Sequence, residues 1–195
     1  MTKQVEFWFD FVSPMSYIAY HRLPGLIERT GAAVVFRPML LGGVMKETGN
    51  AAPAAVPAKG AYYRIDVPRC AARYGIPLQP NPHFPVRTIA AMRGCFVALA
   101  EGFFADYADA IFAAVWAEAK NLGDPKVFAE VLATAGLDAA AMAAKIREPE
   151  IKDKLIGATA EAVERGVFGA PSLFVGDELF FGQDRLDYVE AALVS

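Results

Sequence analysis

The chain opens on an apolar, aromatic run, Gln4-Val5-Glu6-Phe7-Trp8-Phe9-Asp10, that passes directly into Phe11-Val12-Ser13-Pro14-Met15-Ser16-Tyr17. The run has the composition of a buried strand. Ser13 followed by Pro14 is a helix start. The serine hydroxyl caps the first turn, and proline at the first helical position loses nothing by lacking an N–H. Tyr17, Ile18, Leu23, Leu26 and Ile27 continue an apolar face, and Gly31 ends the helix. Ala33 to Pro38 reads as a second strand, which Pro38 terminates or places at an edge. The first forty residues therefore form a strand–helix–strand unit with parallel strands and a right-handed crossover.

The C-terminal stretch has matching character. A helix through Ala158 to Arg165 leads into Gly166-Val167-Phe168-Gly169-Ala170-Pro171, and Ser172 to Val175 follows as a strand. Gly176-Asp177 is a two-residue turn before a second strand, Glu178 to Phe181, so this pair is an antiparallel hairpin. Asp184 leads a final helix, Arg185 to Leu193. Between the two ends, Leu40 to Lys59 is rich in Gly, Pro and Ala and reads as a functional loop. From Ala61 to about Arg147 helix formers dominate, and four or five helices are expected.

A βαβ unit followed, after a helical insertion, by ββα is the arrangement of a thioredoxin-like fold. The fold class expected is α/β, with a large all-helical insertion. Residues 1–45 and 155–195 form a discontinuous thioredoxin-like domain, and 46–154 a loop plus helical insertion domain. Ser13-Pro14-Met15-Ser16 stands where redox-active proteins of this fold carry Cys-x-x-Cys. Ala170-Pro171 stands where the fold carries a cis-proline. The alternative for Pro171 is an ordinary trans-proline at a strand edge.

Composition removes several function classes. A net charge of −3 with interspersed signs gives no field for nucleic acid or an anionic membrane. The most apolar stretch, Ile89 to Ala119, is broken by Arg93, Glu101, Asp106, Asp109 and Glu118, so no membrane span is expected. Glu6 and Asp10 interrupt the short apolar run at the start, so no signal peptide is expected either. Cys70 and Cys95 lie 25 residues apart, with no Cys-x-x-Cys and no zinc spacing, which suits a reducing compartment, the cytoplasm. No metal is expected: neither His21 nor His83 has a partner recognisable by spacing.

Ser13 cannot supply the thiolate that disulfide exchange requires, so the chain is not a dithiol oxidoreductase. The start of the first helix still offers unpaired N–H groups and a partial positive charge, which favour a thiolate brought in by a small molecule. Glutathione is the obvious candidate. Ser13 read alone is a plain N-cap. The two roles are compatible, although one hydroxyl cannot donate its proton twice.

The sequence resembles the 2-hydroxychromene-2-carboxylate isomerase family, grouped with DsbA-like proteins and the kappa-class glutathione transferases. The resemblance covers essentially the whole chain. It rests on FDFVSPMSY at 9–17, RPMLLGG at 37–43, KETGN at 46–50, VPAKG at 56–60, YGIPL and HFPVRT at 74–88, GVFGAPSLFV at 166–175 and FGQDRL at 181–186. It implies that Ser13 is the active-site serine that stabilises the glutathione thiolate. It implies that the Ala170 backbone pairs with the cysteinyl part of glutathione, as an added strand would. Phe181, Gly182, Gln183 and Asp184 match the segment that holds the γ-glutamyl end, and Asn50 and Lys59 match polar contacts, Lys59 through the glycyl carboxylate. Lys46 and Phe84 fall where the family contacts substrate. Lys59 as solvated surface and Asp184 as a helix cap are the plain alternatives.

The activity implied is glutathione-dependent isomerisation of a small aromatic, carboxylate-bearing substrate, within aromatic compound catabolism, by a homodimer. Lys46–Asn50 and Pro57–Gly60 read more like the kappa transferases, whereas Ser16-Tyr17 and the closing GQDRL read more like the isomerases. A kappa-like transferase or peroxidase is therefore the alternative activity, and a non-catalytic glutathione-binding module is the third reading. Trp116, Phe103, Phe104, Tyr107 and Phe112 lie at helical spacing as core residues, or in part as the lining of an aromatic pocket.

Overall fold

The computed structural model describes residues 3–195. Strand β1 (Gln4–Phe9), helix α1 (Pro14–Thr30) and strand β2 (Ala33–Pro38) form the opening unit, with β1 and β2 parallel. Ser13 is the N-cap of α1: its hydroxyl accepts the Ser16 N–H, and Pro14 occupies the first turn. Gly31 closes the helix in the left-handed conformation (φ 68°) that favours glycine, and its N–H returns to the Ile27 carbonyl. At the other end of the chain β3 (Ser172–Val175) and β4 (Glu178–Phe181) form the expected antiparallel hairpin. Strand β3 also pairs antiparallel with β1, matching Trp8 to Ser172, which gives the sheet order β2-β1-β3-β4. This is the thioredoxin-like α/β arrangement.

The region between is helical: α2 (Leu41–Thr48), α3 (Pro57–Arg73), α4 (Ile89–Glu101), α5 (Phe104–Trp116), α6 (Pro125–Thr134), α7 (Ala139–Lys145) and α8 (Pro149–Glu164). Helix α9 (Leu186–Val194) closes the chain. Two expectations need correction. Leu40–Lys59 is not a loop throughout, because Leu41–Thr48 is a helix, Pro53–Ala55 a 3-10 turn, and Lys59 lies in the first turn of α3. Leu40 gives α2 no side-chain cap; the Asp10 carboxylate instead receives the Leu41 N–H at 2.9 Å. The last helix begins at Leu186, since residues 183–185 wind as a 3-10 turn.

Alternate residues of a strand face opposite sides of the sheet, and β1 uses both. Val5, Phe7 and Phe9 are fully buried on one side, and Trp8 on the other. The first set belongs to the main core, with Tyr17, Leu23 and Leu26 of α1 and Val189 and Leu193 of α9. Trp8 packs with Phe174, Met39, Val44, Ala162 and Val167. The main core continues into the helices of the insertion: Phe9 lies 6.1 Å from Phe104, and Phe11 lies 4.6 Å from Phe112. Phe104, Tyr107 and Phe112 are therefore core residues, held by contact with β1 and the loop that leaves it.

Candidate functional site

The loop from β1 to α1 turns on Asp10. Its backbone carbonyl accepts the Ser13 N–H at 3.0 Å, and its carboxylate accepts the Val12 N–H at 3.0 Å and the Thr88 hydroxyl at 2.7 Å. With the Leu41 contact, one buried side chain joins the Ser13 loop, the start of α2 and the cap of α4. Burial pushes the Asp10 carboxyl above its ordinary range, while the three donors pull it back toward the charged form.

Ser13 is 3% exposed. Its Oγ donates to the Ala170 carbonyl at 2.9 Å and accepts the Ser16 N–H at 3.1 Å. The Ala170-Pro171 peptide is cis, as the sequence suggests, and Phe84-Pro85 is a second cis bond. Pro14 has no N–H, and the Tyr17 N–H goes to the Ser13 carbonyl at 3.1 Å. Met15 is left with the first-turn N–H available to an incoming anion. Ser16 Oγ is buried without a hydrogen-bond partner among the described residues.

Ser13 and Ala170 thus meet across 157 residues of chain. Asn50 joins the same neighbourhood through its side-chain N–H, which donates to the Phe168 carbonyl at 2.7 Å. Gly182 is fixed there by its N–H on the Pro171 carbonyl at 3.0 Å, and Phe181 stands opposite Ser172 in the hairpin. Phe181 also packs on Phe168, with ring centroids 4.6 Å apart, and both line a shallow groove of about 460 Å³.

Gln183 is buried, and Arg22 of α1 donates to both its backbone carbonyl and its side-chain oxygen. The Arg22 guanidinium lies 4.1 Å from the centre of the Tyr74 ring, and the Gln183 amide donates to Cys70 Sγ at 3.6 Å. Asp184 is exposed and pairs with Arg185 at 2.9 Å. It is not the cap of the last helix.

Among the described residues, Lys46, Lys59 and Phe84 make no hydrogen bond, ion pair or ring contact to Ser13, Ala170 or Gln183. Lys46 is exposed and 3.5 Å from Glu47, and Lys59 is exposed. Phe84 is half exposed and packs on Trp116 at 5.9 Å. Trp116 in turn donates its ring N–H to the Phe11 carbonyl at 2.8 Å, so an aromatic wall does reach the loop that carries Ser13.

Asp10, Thr88 and Arg22 escaped the sequence reading. Their partners lie 31 to 161 residues away, and no local spacing announces them. The signal that could have found Asp10 was an acid directly following Phe7-Trp8-Phe9 at the end of a buried strand.

Both cysteine thiols are held toward the neutral form. Burial, then the Asp66 carboxylate, pushes the Cys70 thiol up, and burial, then Asp10, pushes Cys95 well up. Among the described residues no group of three acidic, His or Cys side chains could hold a metal ion. No described helix is long and apolar enough to cross a membrane.

The chain is similar to known proteins over nearly its whole length. A family model, the DSBA-like thioredoxin domain, matches residues 4–194. A 2-hydroxychromene-2-carboxylate isomerase from Sphingobium xenophagum is 36% identical over 200 residues, covering 100% of both chains. Glutathione S-transferase kappa 1 of Caenorhabditis elegans is 30% identical, covering 95% of this chain and 88% of its own. A solved structure of 2-hydroxychromene-2-carboxylate isomerase superposes with a TM-score of 0.88 at 32% identity, covering 98% of this chain and 94% of that one.

Proposed function

The chain belongs to the DSBA-like thioredoxin domain family and to the 2-hydroxychromene-2-carboxylate isomerase family, and on that premise we propose that it is a glutathione-dependent isomerase of small aromatic, carboxylate-bearing substrates. One observation carries this reading. At the redox position of the fold, a buried serine hydroxyl sits at a helix N-terminus against the carbonyl that precedes the cis-proline. A helix start that offers donors and carries a serine where a thiol could stand suits a borrowed sulfur. The polar groups fit glutathione: the Met15 N–H and the Ser13 hydroxyl donate to its sulfur, the Ala170 carbonyl accepts from its cysteinyl amide, and Asp184 pairs with its ammonium.

When bound, glutathione supplies a thiolate that adds reversibly to the conjugated substrate and is regenerated. The chain's own residues orient and stabilise. Ser13 and the N-terminus of α1 hold the sulfur in its charged form, since donors and positive potential both favour an anion. Phe181, Gly182 and Gln183 shape the γ-glutamyl end, with Gln183 clamped by Arg22. Asn50 steadies Phe168 at the edge of the site, and Lys59 takes the glycyl carboxylate. Phe84 and Lys46 face the aromatic substrate and its carboxylate. The protein acts in the cytoplasm, where both thiols remain free, and as a homodimer, which suits its exposed Tyr188.

Kinetics with 2-hydroxychromene-2-carboxylate and catalytic glutathione test this. Product should form while total thiol stays constant. Ser13→Ala should lower kcat about 10- to 100-fold, the worth of one hydrogen bond to a charged group. An unchanged rate and an unchanged ultraviolet thiolate signal in that variant would overturn the assignment. The kappa-class relatives favour a second reading, transfer of glutathione to an electrophile. Loss of thiol in step with substrate would support that reading instead.

A further inference from the structure

Ser13 has one proton to give, and the protein itself already uses it. The hydroxyl donates to the Ala170 carbonyl, and its oxygen accepts the Ser16 N–H. A sulfur anion arriving at the start of α1 would meet an oxygen whose only hydrogen points elsewhere. Ser13 is 3% exposed, so bulk water offers that hydrogen little alternative.

The Ala170 carbonyl belongs to backbone that leads into β3, and an extended peptide-like ligand laid along it would present an N–H to that oxygen. We propose that Ser13 and Ala170 form a latch that the ligand's own amide opens. The incoming cysteinyl N–H replaces the Ser13 hydroxyl on the Ala170 carbonyl, and the freed hydroxyl rotates toward the sulfur. The proton stays on Ser13 throughout, and Oγ keeps the Ser16 N–H, so only the hydroxyl rotor moves. One internal hydrogen bond is exchanged for two to the ligand. The latch reserves the Ser13 donor for thiols that carry an amide N–H at the right distance from sulfur. A small thiol without that amide leaves the latch shut. This inference rests on the glutathione reading above and adds how the site selects its thiol.

Titration calorimetry at one neutral pH tests it, with glutathione and S-methylglutathione against wild type, Ser13→Ala and Ser13→Gly. Glycine is nearly as good an N-cap as serine, so the second variant guards against loss of the helix start. Glutathione, bound as the thiolate, should bind both variants about tenfold more weakly, because the charged sulfur loses a donor. S-methylglutathione carries an uncharged sulfur that accepts poorly. In wild type it must open the latch without return. In the variants the Ala170 carbonyl is free, and S-methylglutathione should bind about 3- to 10-fold more tightly than it binds wild type. Opposite signs for the two ligands uphold the latch. S-methylglutathione binding the variants no better than wild type, or binding none of the three, overturns it and leaves the glutathione reading intact. Failure of wild type to bind glutathione removes both, and appears separately in the first titration.

Discussion

Thr88 donates its hydroxyl to Asp10 Oδ1 at 2.7 Å, a contact between residues 78 positions apart that ties the cap of α4 to the strand leading to Ser13. Both residues are buried, Asp10 at 2% and Thr88 at 4% exposure. Thr88→Val keeps the shape and deletes the donor, leaving a buried carboxylate one partner short. The expected loss is about 1–3 kcal/mol, read as a lower urea midpoint, and Thr88→Ser should recover most of it.

Asp10 should also leave a mark on the pH dependence of stability. Burial raises its folded pKa above the ordinary 3.8, so between the two values the native chain holds a proton that the unfolded chain has released. Its contribution is fully present below about 3.8 and is lost as pH rises through the raised value. Asp10→Asn removes that titration. The stability of wild type relative to the variant should fall with pH across this window and then level off. A relative stability that rises with pH would contradict the burial argument.

Arg22 holds Gln183 by its carbonyl and its side-chain oxygen while stacked on Tyr74. Arg22→Leu should raise the Kd for glutathione about tenfold with a smaller effect on kcat at saturation. Arg22→Lys should not restore it, because an ammonium has neither the flat guanidinium face set over the Tyr74 ring nor the second nitrogen that lies 3.6 Å from Asp187.

Phe84→Ala should separate the two ligands. The aromatic substrate loses part of the wall built with Trp116, so its KM should rise about 3- to 10-fold. Glutathione affinity, measured by calorimetry, should stay as in wild type. Equal weakening of both would place Phe84 in the stability of the loop and not at the substrate.

Gly94 sits where α4 and α5 approach closely. A methyl group there would fall against the Tyr107 hydroxyl, 2.7 Å from the ring carbon that bears it, and 3.2 Å from the Met142 sulfur. Tyr107 cannot retreat without breaking its 2.7 Å bond to the Ala91 carbonyl. Gly94→Ala should cost about 1–3 kcal/mol or more by denaturant unfolding.

What could be read in advance was what depends on neighbours in sequence. Ser13-Pro14 opens a helix, Gly31 closes it, and Gly176-Asp177 turns a hairpin, each through the conformational preference of one or two residues. The Ser13 and Ala170-Pro171 positions were picked out differently, by their places in the expected fold, before the first helix and before the third strand. Helix α2 was not legible. Leu41-Gly42-Gly43 has poor helix propensity and no side-chain cap. Its start is held by the Asp10 carboxylate, and at Gly43 even an added Cβ would lie 3.0 Å from the Thr159 side chain of α8. Tertiary contact overrides local preference there. The Arg22–Gln183 clamp stayed hidden because 161 residues separate its halves.

The aromatic rows that run from Phe7 and Phe9 through Phe11 to Phe112 have a consequence for how the molecule can be taken apart. A segment inserted between two halves of a sheet could hang from it as an appendage, with a seam along which heat would separate the two. No such seam crosses this core. Melting should be one cooperative event by every probe, and a transplant of the helices alone would arrive without the rings that Phe9 and Phe11 lay against it.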